Sequence, residues 1–408
     1  MTQKYEFLGK DFPRKEARAR VTGGEKYPSD LFFDNMLHGR ILRSPHPHAR
    51  IKSIDFSEAE RMGAVCLGPE DSPDTWFNPR LVSIPSGTYK DWHLFDDHVR
   101  HVGDFFGAVA AESEELAERA AEAIKVEWEL LPSYLTMEDA MAATENLIHN
   151  EVYLEDKRIE IHNNVACTRE VSEGDIEKGF EEADVIVENQ FETPRQYHCQ
   201  LETRACAVRP EPDGGLTVWP TTQALHNTRI LIGTLFKLPL NKVNVVRITG
   251  GGHFGSGIHT NPATLVAVAL TLKSGRPVKI TQSREEDMYD HVRYPSRYTL
   301  KVGARKDGTL TAGHLRATID IGGHHIQALS FLGVVSGFWH SLYRMENMKY
   351  EGTAVYTNKV PTCAMQGFGA PQITFGVERT IDMLAEKLGI DPIELRIQNY
   401  VGLGEIFW

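Results

Sequence analysis

The chain has 408 residues and a formal net charge of -12 at pH 7. That length allows two or three domains with sizeable cores, and the acidic balance argues against a broad nucleic-acid surface. The five cysteines, Cys66, Cys167, Cys199, Cys206 and Cys363, are scattered and form no C-x-x-C pair, which argues against a disulfide framework or a zinc or iron–sulfur site and suits a reducing cytoplasm.

The N-terminus, Met1-Thr2-Gln3-Lys4-Tyr5-Glu6-Phe7, lacks the apolar run of a signal peptide. No stretch approaches the roughly 20 apolar residues that span a bilayer. Residues 1 to about 135 read as one mixed unit. Within it, Ser113 is a good N-cap, followed by Glu114 and Glu115 in the positive first turn of a helix. Leu116, Ala120, Ala123 and Ile124 give that helix an apolar face. The alternating segment Lys125-Val126-Glu127-Trp128-Glu129-Leu130-Leu131 predicts a strand closed by Pro132. Residues 136–165 read as a polar connecting segment with no sustained period, and residues 166–408 as a second unit.

In the second unit the spacing predicts a helix over about 175–182 and strands over 184–188, 215–219 and 243–248. A helix over 262–270 and a strand over 277–280 follow. This mixed order predicts an α+β fold over a doubly wound sheet. A helix over about 372–388 carries the stripe Ile373, Val377, Ile381, Leu384 and Leu388, with Gly389 placed to end it. Asp391-Pro392 then starts a short helix.

Two glycine loops stand out. Gly250-Gly251-Gly252-His253-Phe254-Gly255-Ser256-Gly257 lies between the strand at 243–248 and the helix at 262–270. Such a loop lets backbone N–H groups approach a phosphate. Its Gly250-x-Gly252-x-x-Gly255 matches the dinucleotide fingerprint, so a nicotinamide-dependent dehydrogenase is one reading. Against it, the next strand ends without an acidic residue at the ribose position, and Phe254 is bulky where close approach is needed. No Gly-Lys-Ser or Gly-Lys-Thr follows, which excludes a Walker-type loop. The second loop, Ala364-Met365-Gln366-Gly367-Phe368-Gly369-Ala370-Pro371-Gln372, also runs from glycines into a helix. Two such loops could grip one elongated phosphorylated ligand from two sides.

Other polar segments are less specific. Gln223, in Thr221-Thr222-Gln223, offers an amide that both donates and accepts. His198-Cys199-Gln200-Leu201-Glu202-Thr203 raises a metal site or a Cys–His nucleophile, but a buried polar turn fits better. His324-His325 cannot present both rings to one face of a strand, so the pair is a poor metal site.

Taken in order, these segments resemble the molybdenum hydroxylases, the family of xanthine dehydrogenase and aldehyde oxidoreductase. The resemblance starts at Val21-Thr22-Gly23-Gly24-Glu25-Lys26-Tyr27 and Arg43-Ser44-Pro45-His46-Pro47-His48-Ala49-Arg50. It continues through Leu201-Glu202, Thr222-Gln223, Gly251-Gly252-His253-Phe254-Gly255 and Gln366-Gly367-Phe368-Gly369-Ala370-Pro371-Gln372. It implies an N-terminal α/β hammerhead domain followed by the first molybdopterin-binding α+β domain. It also implies a molybdenum–molybdopterin cofactor, in bacterial members commonly the cytosine dinucleotide form. Gln223, Gly252, His253, Phe254, Gly255, Gln366 and Gly367 would contact the cofactor. Phe368, with Ile258 and His259, would border the substrate pocket. Molybdenum would be held by the pterin dithiolene with no protein ligand.

The chain departs from the family pattern at three places. Gln366 stands where Arg is usual, and Ile258 where xanthine-type members carry a substrate-facing Glu. The family's general-base Glu belongs to a second cofactor-binding half that would begin beyond Trp408. The resemblance therefore implies either a split large subunit of the nicotinate dehydrogenase type, with the second half as a separate chain, or a fragment of a longer chain; the split subunit is the preferred expectation. An iron–sulfur subunit carrying [2Fe-2S] clusters and an FAD subunit would complete the assembly. The implied activity is hydroxylation of a carbon centre, with an N-heteroaromatic preferred over an aldehyde. A pterin carrier without catalysis is the non-enzymatic alternative.

Overall fold

A computed structural model describes residues 6–81, 89–402 and 404. The sequence readings at Met1–Tyr5 and at Trp408 lie outside them. The helix expected at Ser113 runs Glu114–Ala123, and the Ser113 hydroxyl accepts from the Leu116 N–H at 3.1 Å. The helices expected over 262–270 and 372–388 run Pro262–Ser274 and Ala370–Leu388, each ending on a left-handed glycine, Gly275 and Gly389. Asp391 caps Pro392–Asn399 by accepting from the N–H groups of Ile393 and Glu394.

Three local expectations change. The segment at 136–165 is ordered into a helix, Met137–Ala142, and a hairpin pairing Glu151–Leu154 with Lys157–Glu160. Its two-residue turn is Glu155-Asp156, with Glu155 at φ 56°; no Asn-Gly or Asp-Gly signal announces it. The strand expected over 243–248 stops at Val245. His324-His325 lies in a turn after Leu310–Gly322 and not in a strand. The two rings part there: His324 stacks on Trp92 at 4.1 Å and His325 lies beside Tyr89 at 5.1 Å.

A seven-stranded sheet draws on both sides of the 136–165 segment. Its order is Val243–Val245, Leu216–Pro220, Ala205–Pro210, Val278–Thr281, Leu37–Arg43, Phe105–Ala111 and Val65–Leu67. The seam is the parallel pairing of Leu37 with Val278 and Gly39 with Ile280. Phe105–Ala111 is buried at every position, as expected for a strand covered on both faces. The helix Pro262–Ser274, apolar nearly all round, packs against this sheet.

The second sheet has five strands in the order Val165–Glu173, Asn347–Tyr356, Leu310–Gly322, Ser296–Ala304 and Val185–Thr193. The helices Ala328–Ser341 and Ala370–Leu388 pack on it and on each other. Ile373, Val377, Ile381 and Leu384 of the expected stripe are buried there. Among the described residues, no helix is long and apolar enough to cross a membrane.

A buried polar network joins the first unit to the second. Asp91 Oδ2 accepts from the His325 backbone N–H at 2.6 Å and from the Tyr356 hydroxyl at 2.8 Å. Asp104 Oδ2 accepts from the Arg100 backbone N–H at 2.8 Å and faces His324 Nε2 at 3.2 Å. Burial holds His101 down to about 4 and His325 down to about 3. These rings are neutral when folded and bind protons more readily when unfolded. Acid therefore favours the unfolded chain: their contribution is present above about pH 6.5 and is lost as pH falls toward 4. The urea midpoint should drop between pH 7.5 and 5, with His101 alone accounting for on the order of 2 kcal/mol. A midpoint that is flat over that range would contradict the buried neutral rings.

Candidate cofactor-binding site

The strand Leu216–Pro220 delivers Thr221-Thr222-Gln223 to the first glycine loop. Gln223 Oε1 accepts from the N–H groups of Gly255 at 3.2 Å and Gly257 at 3.1 Å. Its own backbone N–H donates to the Gly257 carbonyl at 2.7 Å. The amide oxygen is thus spent inside the protein, and Nε2 of this exposed residue keeps its donors. The His253 ring closes the loop on itself. A Cβ at Gly250 would stand 2.5 Å from His253 Nε2, and one at Gly257 would stand 2.7 Å from Nδ1.

Charged side chains fasten the loop from below. Glu202 Oε2 accepts from the Gly251 N–H at 2.5 Å. Arg204 is fully buried; its guanidinium reaches the Ser256 hydroxyl and lies 3.5 Å from the Gly252 carbonyl and 3.4 Å from His253 Nδ1. Burial, reinforced by the Arg204 charge, holds His253 down to about 4, so its ring is neutral at pH 7. The carboxylate of Asp287 accepts from the Arg204 backbone N–H at 3.0 Å and bonds Tyr197 and Gln200.

The second loop lies directly against the first. The Gln366 N–H donates to the Phe254 carbonyl at 2.8 Å. Gly255, at φ +112°, has no room for a side chain, because a Cβ would meet the Ala364 carbonyl oxygen at 2.5 Å. Both loops hold an aromatic residue in the left-handed region, Phe254 at φ 53° and Phe368 at φ 43°, a conformation that costs a non-glycine residue roughly 1–2 kcal/mol. Phe254 is 49% exposed. Phe368 is half-buried, edge-on to Phe331 at 5.5 Å and to Tyr294 at 6.2 Å.

Among the described residues, the N–H groups of Gly252, His253, Phe254, Gly367 and Gly369 have no protein acceptor. The helix Ala370–Leu388 starts at the second loop with no side-chain cap, leaving its positive end open. Beside the first loop lies a cleft of about 1050 Å³, lined by Gln223 and His253, by the cations Arg20, Lys26 and Arg247, and by the carboxylates of Glu16 and Glu25. Unpaired N–H groups, a helix N-terminus and nearby cations fit an extended anionic cofactor.

The structure thus brings together Gln223, Gly252, His253, Phe254, Gly255, Gln366, Gly367 and Phe368. Ile258 is half-buried at the end of the first loop, its carbonyl accepting from Arg80 at 3.0 Å. His259 points elsewhere: it is 2% exposed and packs edge-on to His291 at 4.6 Å. A ring enclosed in this way has no open face for a substrate. The dinucleotide geometry is also missing. The glycines do not open a helix; the next one starts at Pro262, beyond an intervening non-helical stretch, whereas the fingerprint needs the helix N-terminus at the glycines. Sequence reasoning missed Arg204 and Asp287, since a lone Arg and a lone Asp carry no spacing signal.

A family model described as the molybdopterin cofactor-binding domain matches residues 158–400. The aldehyde oxidase and xanthine dehydrogenase a/b hammerhead domain model matches residues 22–132. The chain belongs to the xanthine dehydrogenase and aldehyde oxidoreductase family. Its α+β fold is therefore a hammerhead domain followed by a molybdopterin-binding domain, as the sequence resemblance implied. It is 36% identical over 387 residues to a probable xanthine dehydrogenase subunit of Bacillus subtilis, covering 95% of this chain and 50% of that protein. With the nicotinate dehydrogenase large molybdopterin subunit of Eubacterium barkeri it shares 31% identity over 400 residues, 98% of this chain and 90% of that one. The structure of the aldehyde oxidoreductase from Desulfovibrio gigas superposes with a TM-score of 0.86 at 31% identity, over 97% of this chain and 43% of that one. The chain spans about half the length of the Bacillus relative.

The site makes two variants informative. Gly255→Ala should destabilise the chain by roughly 2 kcal/mol or more, through strained backbone and contact with the Ala364 carbonyl. Gln223→Ala leaves two N–H groups without their acceptor, at about 1–3 kcal/mol each where buried. Urea unfolding of both variants measures this, and wild-type midpoints would show that the loops are not packed as described.

Proposed function

We propose that this chain is the molybdopterin-binding part of a molybdenum hydroxylase that oxidises an N-heteroaromatic substrate at carbon. The observation that carries the reading is the backbone-to-backbone junction of the two glycine loops, with its set of unpaired N–H groups. When bound, the molybdenum–molybdopterin group supplies a two-electron oxidant for a carbon centre, with water as the source of oxygen.

The chain's own residues bind and orient. The N–H groups of Gly252, His253, Phe254 and Gly367 donate to the anionic cofactor, and Gln366 supplies a neutral side chain where the family usually places Arg. The long anionic shape of a cytosine dinucleotide form suits a pair of loops flanked by cations. Gln223 keeps its amide oxygen on the loop and offers Nε2 as a donor toward the cofactor. Phe368, braced by Phe331 and Tyr294, gives the substrate a fixed aromatic edge, and Ile258 gives it an apolar neighbour. Such groups accelerate a reaction by fixing geometry ahead of the chemical step.

The general base comes from elsewhere in our reading. The carboxylates beside the loops are engaged: Glu202 with Gly251, Asp287 with Arg204, Tyr197 and Gln200, and Glu25 with the Thr249 hydroxyl. A Glu on a second cofactor-binding half, carried by a partner chain, serves as the base. Electrons leave through [2Fe-2S] clusters and FAD on further subunits, in a cytoplasmic complex. The substrate class rests on relatives described as a probable xanthine dehydrogenase subunit, a probable hypoxanthine oxidase, a nicotinate dehydrogenase subunit and a quinoline 2-oxidoreductase. An aldehyde oxidoreductase among them keeps aldehydes as the second substrate class to assay.

The test is the complex co-purified with its natural partners. It should contain molybdenum and pterin and transfer oxygen from ¹⁸O-labelled water into a purine or pyridine. Gln223→Glu retains the loop acceptor and loses the donor, so it should melt like wild type yet lose most molybdenum and activity. A complex that holds nicotinamide and no molybdenum would overturn the proposal. A molybdenum-loaded complex inactive on heteroaromatics and aldehydes alike would mark the chain as a carrier.

A further inference from the structure

Behind the second loop, three separate segments bring His198, His291 and Cys363 together. Each offers one ligand atom, these atoms lie within 4.8 Å of one another, and all three residues are buried. His198 Nε2 and Cys363 Sγ are 3.9 Å apart, against about 3.6 Å between neighbouring N and S ligands of a tetrahedral zinc ion. The Ala364 carbonyl oxygen is 2.8 Å from His198 Nε2 and 3.4 Å from Cys363 Sγ. In the metal-free chain that oxygen accepts from the His198 Nε2–H and from the Cys363 thiol.

Several buried ring nitrogens here have no partner, and an ion held by His198, His291 and Cys363 would take up one of them, on His291. Both ring nitrogens of His291, with Nδ1 of His198 and Nδ1 of His259, are buried without a hydrogen-bond partner. Each such atom costs roughly 1–3 kcal/mol if nothing fills its lone pair or takes its proton. Four of them gather within one small group, since the His259 and His198 rings lie 4.6 Å and 5.6 Å from that of His291. Cys363 sits on the strand Thr362–Cys363, which pairs in parallel with Val292–Arg293 directly after His291. The fold thus fixes two of the three ligands in register before any ion arrives.

The geometry points to a buried site in which His198, His291 and Cys363 hold one thiophilic d¹⁰ cation, Zn²⁺ or Cu⁺. Imidazole and thiolate are the donors that such ions select. A histidine ligates through a neutral ring nitrogen and a cysteine as the thiolate. On binding, the S–H bond is replaced by a bond from sulfur to the cation. The thiol proton leaves to solvent, the His198 proton moves from Nε2 to the unpartnered Nδ1, and no electrons are transferred. The Arg204 and Arg293 charges act on His198 against that of Asp287, and Arg204 and Arg43 act on His291; the thiolate limits what the ion adds to at most one net positive charge. The ion would pin the His198 turn and the Thr362–Cys363 strand beneath both glycine loops, without touching the ligand those loops hold. The separated cysteines gave no hint of this, because no two of its ligands are neighbours in sequence.

Elemental analysis of the assembled complex should find about one zinc or copper per chain, counted separately from any molybdenum. The full chain, stripped of metal, should take up Zn²⁺ or Cu⁺ when each is added alone, and the tighter binder names the ion. Co²⁺ as a probe should give a thiolate-to-cobalt absorption band. Cys363→Ser should abolish that band, and both it and His291→Gln should weaken binding by at least about 100-fold. Cys206→Ser, a buried cysteine outside the group, should keep both. Circular dichroism checks that each variant is folded, and the wild-type titration decides the question even where a variant is not. A folded wild-type chain with no stoichiometric metal and no cobalt band would overturn the site. So would equal binding by wild type, Cys363→Ser and His291→Gln.

Discussion

The Gln366 N–H donates to the Phe254 carbonyl at 2.8 Å, and through that bond two loops far apart in the chain lie backbone against backbone. Little else at the site could exist without this contact. It requires a residue with no side chain at Gly255, where a Cβ would reach the Ala364 carbonyl at 2.5 Å. It also sets Phe254 and Phe368 in left-handed backbone that other surroundings would not sustain. Strain of this kind persists only where neighbouring structure over-determines it. Here that structure is the Gln223 clamp on one side and the Phe331–Tyr294 ring cluster on the other.

The support beneath the loops is polar and buried, which is an expensive way to build. Arg204 and Asp287 are both removed from water. Their burial is tolerable because each charged group meets partners: loop carbonyl, hydroxyl and imidazole for the guanidinium, and backbone N–H, phenol and amide for the carboxylate. The return is rigidity. An apolar floor would pack as well but would not fix where the Gly252 carbonyl and the His253 ring point, and the free N–H groups depend on both. The same logic governs the network of Asp91, Asp104 and Arg100 between the two units, where partnered buried charges hold one orientation.

Much of the local structure was legible in the sequence. Ser113, Asp391 and Gly389 act as caps where their residue types predicted, and the stripe from Ile373 to Leu384 faces the core. These signals are short-range, so one pass along the chain finds them. The hairpin at 151–160 escaped because its turn, Glu155-Asp156, lacks the usual residues and its strands are only four residues each. Gln223 offers an amide that both donates and accepts. The fold assigns the oxygen to Gly255 and Gly257, a division invisible until two distant segments meet.

By itself the sequence determined the elements, the two glycine loops and the resemblance to the family, because glycine, proline, cap residues and apolar periodicity act through neighbours in the chain. Tertiary structure alone decided how the loops meet, that His259 is enclosed, and that Arg204 and Asp287 lie under the site. It alone ran one sheet across the two units, through the pairing of Leu37 with Val278. It alone gathered His198, His291 and Cys363 from three segments. The reason is the same in each case: a buried contact between remote residues is selected by shape and by the cost of leaving polar atoms unpaired, and neither leaves a periodic mark in the sequence.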